Sequence, residues 1–312
     1  MKTKLGGNIL LLVTALVWGI SFVSQSVGME YVEPNTFNGI RTLLGGIVLL
    51  PVIFFLDKTK KEKGTYLPTN KKKLFLYGGI CGVFLCVAST LQTYGMNGNF
   101  GFSAITTGES GFLTALYIIF VAILGAFSGK KLSAKIILGV MLSMVGMYFL
   151  CLFGTSISLS IGHFLTFLCA IIFALHILVI DKFSPEVDGV KLSCTQFFVA
   201  GTLNLIVMCF FETPSLSAIF SCVPALLYSG VMSCGVAYTL QIIGQKYTDP
   251  TSASILMSLE SVFSALAGWV LLGQSMTLFQ ILGCGLMFAA IVLVQLPDKK
   301  RILQEVHAGE KI

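Results

Sequence analysis

Three charged side chains stand inside long apolar runs of this 312-residue chain: Arg41, Glu109 and Glu260. A charge near the bilayer centre costs about 2.5–3.5 kcal/mol on insertion scales. Such residues therefore face a cavity or a partner rather than lipid. Glu260 falls near the middle of its run. Desolvation favours the neutral form of a carboxyl, and one that changes state near neutral pH can carry a proton. It can equally bind a substrate, or hold neighbouring helices together as a neutral acid. Arg41 and Glu109 each lie about 10 Å below the same surface at 1.5 Å of rise per residue, so the two could pair. A purely structural pair, or an arginine snorkelling outward, is the plainer reading.

The uncharged polar residues follow the same logic. Tyr238, Gln241 and Gln245 fall at i, i+3 and i+7, one face of a helix. Gln92 occupies the matching place in a related segment: residues 88–95 read ASTLQTYG and residues 237–244 read AYTLQIIG. Both amides should point inward, to bond a substrate or a neighbouring helix. His176 could shuttle protons or be a buried, hydrogen-bonded histidine. Trp18 and Tyr117 could wall a cavity or serve as packing and interface aromatics. The nine cysteines form no CxxC pair and sit near no histidine at zinc spacing, so no metal and no cofactor is expected. Walker-type GxxxxGK[ST], HExxH and GxSxG are absent.

The elements that position these residues are apolar helices. Hydrophobic residues make up 55% of the chain and charged ones 11%, against roughly 25% charged in soluble proteins. Ten runs approach the ~20 residues needed to cross a bilayer: 7–27, 36–56, 74–96, 103–127, 134–152, 161–180, 192–211, 222–244, 251–272 and 277–296. The expected fold is an all-α integral membrane protein of ten transmembrane helices. Nineteen of the twenty lysines and arginines lie at the termini or in alternate connections, including 57–73 and 128–135; the twentieth is Arg41. The positive-inside rule then puts both termini in the cytoplasm. The basic residues form no patch interleaved with aromatics, which argues against a nucleic-acid partner.

The chain also repeats. The match of 88–95 with 237–244 has an offset of 149, which also pairs Ser103 with Ser252. Ile137-Leu138-Gly139 pairs with Ile281-Leu282-Gly283 at 144, and Gly46 with Gly201, Arg41 with Gln196 and Ser21 with His176 at 155. A five-span unit is odd, so the second copy must enter the membrane inverted, as in many secondary transporters. The expected division is 1–152 as one five-helix repeat, 153–296 as a second, inverted one, and 297–312 as a cytoplasmic tail.

In order along the chain, residues 15–22 (ALVWGISF), 110–121 (SGFLTALYIIFV), 237–241 (AYTLQ), 245–250 (QKYTDP), 258–260 (SLE) and 268–273 (GWVLLG) resemble the EamA-type transporters of the drug/metabolite transporter superfamily. The resemblance covers about 8–296. It implies ten helices in two inverted halves around a central cavity for metabolites or drugs, walled largely by the third, fourth, eighth and ninth helices. Many relatives have proline where this chain has Ser261, and the matching first-half proline is replaced by Ala122. The usual cause of helix kinks at those places is missing.

The expected function is secondary transport of a small metabolite by alternating access, amino acid-like or otherwise small and polar, or a drug, with export as the direction. The expected cavity residues are Glu260, Gln92, Tyr238, Gln241, Arg41, Glu109, Trp18 and His176. The expected partners are the substrate and the lipid bilayer of the cell membrane, with proton coupling and a homodimer as options. An intramembrane enzyme or a receptor-like scaffold are the competing classes; neither nucleophile motifs nor a soluble signalling domain is present. The topology has a direct test. In a cysteine-free background, Gly64→Cys and Glu305→Cys should resist an impermeant maleimide in intact cells and react after permeabilisation. Labelling of either in intact cells would reverse the orientation.

Overall fold

Hydrocarbon offers no water to backbone N–H and C=O groups, so an apolar chain closes its hydrogen bonds within helices. The computed structural model describes residues 3–66, 68–97, 105, 107–127, 133–154, 160–272 and 276–295. In chain order the helices are α1 (Lys4–Met29), α2 (Pro34–Glu62), α3 (Lys71–Met96), α4 (Thr107–Ala115), α5 (Tyr117–Phe127), α6 (Ala134–Cys151), α7 (Ile161–Phe183), α8 (Gly189–Phe211), α9 (Leu216–Ser221), α10 (Val223–Leu227), α11 (Thr239–Gln245), α12 (Pro250–Met257), α13 (Glu260–Leu272) and α14 (Leu278–Gln295). A π-helical stretch, Tyr228–Tyr238, joins α10 to α11. No strand occurs among the described residues. Among the described residues, eight helical runs are long and apolar enough to cross a membrane: Lys4–Met29, Pro34–Glu62, Lys71–Met96, Glu109–Phe127, Ala134–Cys151, Ile161–Glu186, Gly189–Phe211 and Val223–Gln245. The ninth expected span is divided into α12 and α13, and the tenth contains the shorter apolar helix Leu278–Val294. The expected tail, 297–312, lies outside the described residues.

Local chemistry sets the helix ends. Pro34 and Pro250 open α2 and α12, where a missing N–H costs nothing. Asp249 caps α12 by accepting from Ser252 N at 2.9 Å, and Asp188 caps α8 by accepting from Val190 and Lys191 N. The kinks survive without proline. The helix breaks at Leu116 between α4 and α5, and at Ser258–Leu259 between α12 and α13. At the second break Ser254 and Ser258 donate their hydroxyls to Thr251 O and Ile255 O, each at 2.8 Å. Hydroxyls bonded back into the helix bend it. Glu260 therefore heads a helical segment, directly after the break.

Lipid supplies no hydrophobic drive between helices, so small residues and close packing hold the bundle. The helix α2 packs on α8, α6 on α14, α3 on α7 and α8, and α1 on α11, α13 and the π stretch. The close approaches come in matched sets. A side chain at Gly46 would meet Phe198, and one at Gly201 would meet Leu43. A side chain at Gly95 would meet Gly162 O and Thr166; one at Gly244 would meet Gly7 O and Leu11. With Gly39 against Leu205, the α2–α8 partners run in opposite order, so these two helices are antiparallel.

Each end of the α2–α8 pair is tied. At one end Glu212, 6% exposed, accepts from Asn35 N and Thr36 N at 2.7 Å each and from Thr36 Oγ1 at 2.7 Å. It also accepts from Asn35 Nδ2 at 2.8 Å. One carboxylate thereby satisfies the free first-turn N–H groups of α2. At the lysine-rich end Asp57 pairs with Lys191 and Lys60 with Asp188, each at 2.7 Å. Burial pushes the Asp188 carboxyl up, but the Lys60 bond and the two backbone N–H groups outweigh it and hold it below the ordinary aspartate value.

The packing rule separates two glycines of one helix. A Cβ at Gly283 would lie 2.5 Å from Gly146 O and 2.7 Å from Leu150 N, whereas one at Gly285 would meet nothing within 4 Å. Gly283→Ala should destabilise the folded protein by about 1–3 kcal/mol through overpacking. Gly285→Ala should be neutral or stabilise by up to about 1 kcal/mol through helix propensity. Thermal unfolding of the purified protein measures both; equal Tm values would mean the α6–α14 contact yields at no cost.

Candidate functional site

A cavity lies where α1, α2, α3, α7, the π stretch, α11 and the two broken helices converge. The helix α1 turns Trp18, Ser21, Phe22 and Gln25 toward it, at i, i+3, i+4 and i+7. Arg41 enters from α2, Gln92 from α3, Thr114 from α4 and Tyr117 from α5. Phe173, His176 and Ile177 come from α7, Ser233 and Tyr238 from the π stretch, Gln241 from α11 and Glu260 from α13. π-helical turns are rare and cluster at functional sites; here the turn carries two lining residues.

Both charged residues are 5% exposed. Arg41 donates from Nε to Asn38 Oδ1 at 2.9 Å. Asn38 in turn donates to Thr93 Oγ1 on α3 at 2.9 Å, which fixes the arginine's direction. Its Cζ lies 5.6 Å from the Phe37 ring centroid. Across the cavity Tyr117 donates its hydroxyl to Glu260 Oε1 at 3.4 Å. Gln92 donates to Thr114 Oγ1 at 3.0 Å. His176 is fully buried, with Nε2 3.1 Å from Gln196 Oε1. The Trp18 and Tyr238 rings sit 4.6 Å apart between centroids.

Among the described residues, five buried lining atoms have no hydrogen-bond partner: Trp18 Nε1, Ser21 Oγ, Gln25 Oε1, His176 Nδ1 and Gln241 Oε1. Buried polar atoms are almost always satisfied, so their convergence marks a polar site. It offers donors, acceptors, one cation and one carboxyl among aromatic walls. The space open to the centres of water-sized solutes is about 40 Å³, enough for about three waters. Trp18 and Tyr238, whose rings touch, both line this space.

Seven of the eight expected site residues meet in this cavity: Trp18, Arg41, Gln92, His176, Tyr238, Gln241 and Glu260. Glu109 does not. Its carboxylate lies 3.6 Å from His163 Nε2 in a separate cavity, and the pairing with Arg41 that their matching depths allowed is not made. The first turn of α4 directs Glu109 toward α7, while Arg41 is held toward α3 by Asn38. Gln245, one turn beyond Gln241, donates to Ile177 O at 3.2 Å and serves helix packing. Ser21, Gln25, Thr114 and Ser233 were not expected as lining residues. The signal for Gln25 was present, since it shares the α1 face of Trp18 and Ser21.

An apolar helical bundle around a buried polar cavity is the architecture of a membrane transporter, and known proteins agree. The EamA-like transporter family matches residues 5–152 and again 160–296. The chain belongs to that family. It is similar to an uncharacterized transporter of Archaeoglobus fulgidus, at 26% identity over 94% of this chain and 87% of that one. It is also similar to the uncharacterized transporter YoaV of Bacillus subtilis, at 24% identity over 89% of this chain and 92% of that one. A solved crystal structure shares the fold, with a TM-score of 0.73 at 16% identity over 93% of this chain and 96% of the other.

The two tryptophans of the chain are Trp18 and Trp269, and the latter is 54% exposed. Trp269→Phe leaves Trp18 as the sole reporter. A transported solute should shift or quench its emission saturably. Saturable transport with unchanged Trp18 emission would put binding elsewhere.

Proposed function

We propose that this protein is a secondary transporter that moves a small amphoteric metabolite, amino acid-like in chemistry, across the cell membrane by alternating access, with export as the direction. The observation that carries the reading is the cavity that Arg41 and Glu260 line together. A guanidinium suits a carboxylate and a carboxyl suits an ammonium, while Trp18, Phe22, Phe173 and Tyr238 suit an apolar side chain. Each charge costs about 2.5–3.5 kcal/mol in a membrane, a cost offset when each meets its opposite on a solute.

The proposed architecture is ten helices in two inverted five-helix repeats, 1–152 and 153–296, with both termini cytoplasmic. The matched contacts support it. Offsets of 155 and 149 relate Gly7 to Gly162, Leu11 to Thr166 and Gly95 to Gly244, and they carry the Gly95–Gly162–Thr166 contact onto Gly244–Gly7–Leu11. The offset of 155 likewise relates the Gly46–Phe198 contact to Gly201–Leu43. The antiparallel run of α2 and α8 suits two copies that enter the membrane from opposite sides, and the family matches the chain twice. Two such halves can exchange conformations and expose the cavity to each side in turn. Opening requires Trp18 and Tyr238 to part.

Glu260 is the proposed coupling residue, binding the substrate ammonium or a proton. Glu260→Gln keeps shape and most hydrogen bonding but cannot titrate. In proteoliposomes screened with amino acids and related metabolites, its initial rate should fall about tenfold or more, the scale of one charged hydrogen bond, or lose its pH dependence. Rates normalised to folded protein that match wild type at every pH would remove Glu260 from the mechanism.

A further inference from the structure

The Glu109 cavity is larger than the central one, with about 390 Å³ open to water-sized solutes. Small-molecule pockets run to about 300–1,000 Å³. It lies between the start of α4, the end of α6 and the start of α7. Its lining is graded. Glu109 and His163 stand in the first turns of α4 and α7, at the rim. One turn deeper come Phe112 and Leu113 on α4 and Phe167 on α7. Phe164 is 60% exposed, so this wall opens toward the bilayer.

The rim chemistry is specific. His163 closes the cap of α7: its Nδ1 accepts from Ser160 N at 3.2 Å and lies 2.8 Å from Ser160 Oγ. An Nδ1 that accepts a backbone N–H carries no proton, so the neutral ring keeps its proton on Nε2. That atom is buried without a hydrogen-bond partner among the described residues and sits 3.6 Å from Glu109 Oε1. The glutamate is 13% exposed and the histidine 12%. A carboxylate has about four acceptor positions and can accept from several donors at once.

We propose that this cavity is a second binding site, distinct from the transport cavity, for an amphipath with a protonated amine head. The head bonds Glu109 at the rim and the apolar tail descends between Phe112 and Phe167. The amine can belong to a membrane lipid headgroup or to a free lipophilic amine.

The probe is a fluorophore-tagged long-chain primary amine, with its alcohol counterpart as the uncharged control, and the protein is full-length in phosphatidylcholine nanodiscs. The amine should bind saturably and about tenfold or more tighter than the alcohol, as one charged hydrogen bond gives. Glu109→Gln should abolish that preference and leave alcohol binding intact, which also shows that the variant is folded. Phe167→Ala should weaken both probes. A second arm adds phosphatidylethanolamine: competition with the probe assigns the site to the lipid headgroup, and its absence assigns it to a free amine. Equal binding of amine and alcohol, or an unchanged preference in Glu109→Gln, would overturn the proposal. So would a parallel loss in Glu260→Gln, because it would put the probe in the central cavity.

Discussion

Backbone meets backbone at Gly7 and Gly244, at Gly95 and Gly162, and at Gly146 and Gly283, and the rest of the bundle depends on those contacts. Helices in lipid gain nothing from hiding apolar surface, since lipid is as apolar as they are. What they gain is dispersion contact, and glycine lets the axes close until carbonyls touch the facing helix. The contacts lie around the bundle, on the seams of α1 with α11, α3 with α7 and α6 with α14. Inside those seams the side chains of Trp18, Arg41, Tyr238 and Glu260 converge, and the cavity lies among them.

That geometry explains why a polar constellation survives inside so apolar a chain. Arg41 is not stranded: Asn38 and Thr93 hold it. Glu260 follows a helix break that two serines make with their hydroxyls. The break removes two residues from regular helix beside the carboxyl, and it does so without the rigidity of a proline ring. The π stretch does related work in Tyr228–Tyr238, setting Ser233 and Tyr238 on one wall.

Most of the central site was legible in the sequence because the inference is local. A charge or an amide in an apolar helix must face inward whatever its neighbours are, and that alone brings Gln92, Gln241, Arg41 and Glu260 to the interior. The all-helical, membrane-spanning character was legible from local composition in the same way. What local reasoning could not decide was which interior a residue faces. Glu109 and Arg41 match in depth, yet the rotation of α4 sends the glutamate to His163, a residue just inside the start of α7. The breaks were also hidden. Serine lacks proline's fixed torsion, and its bend depends on a hydroxyl turning back to the helix.

The two ends of the α2–α8 seam are tied by unlike chemistry. Glu212 is 6% exposed and its partners there are neutral donors, two of them backbone N–H groups. The opposite end relies on Lys60 with Asp188 and Lys191 with Asp57, whose side chains are 15–39% exposed. Mobile ions screen exposed charges over about 8–10 Å at physiological ionic strength and barely reach a buried carboxylate bonded to amides. Ionic strength therefore acts on this seam from one end only: brine loosens the lysine end and leaves the Glu212 end as firm as it is in dilute buffer.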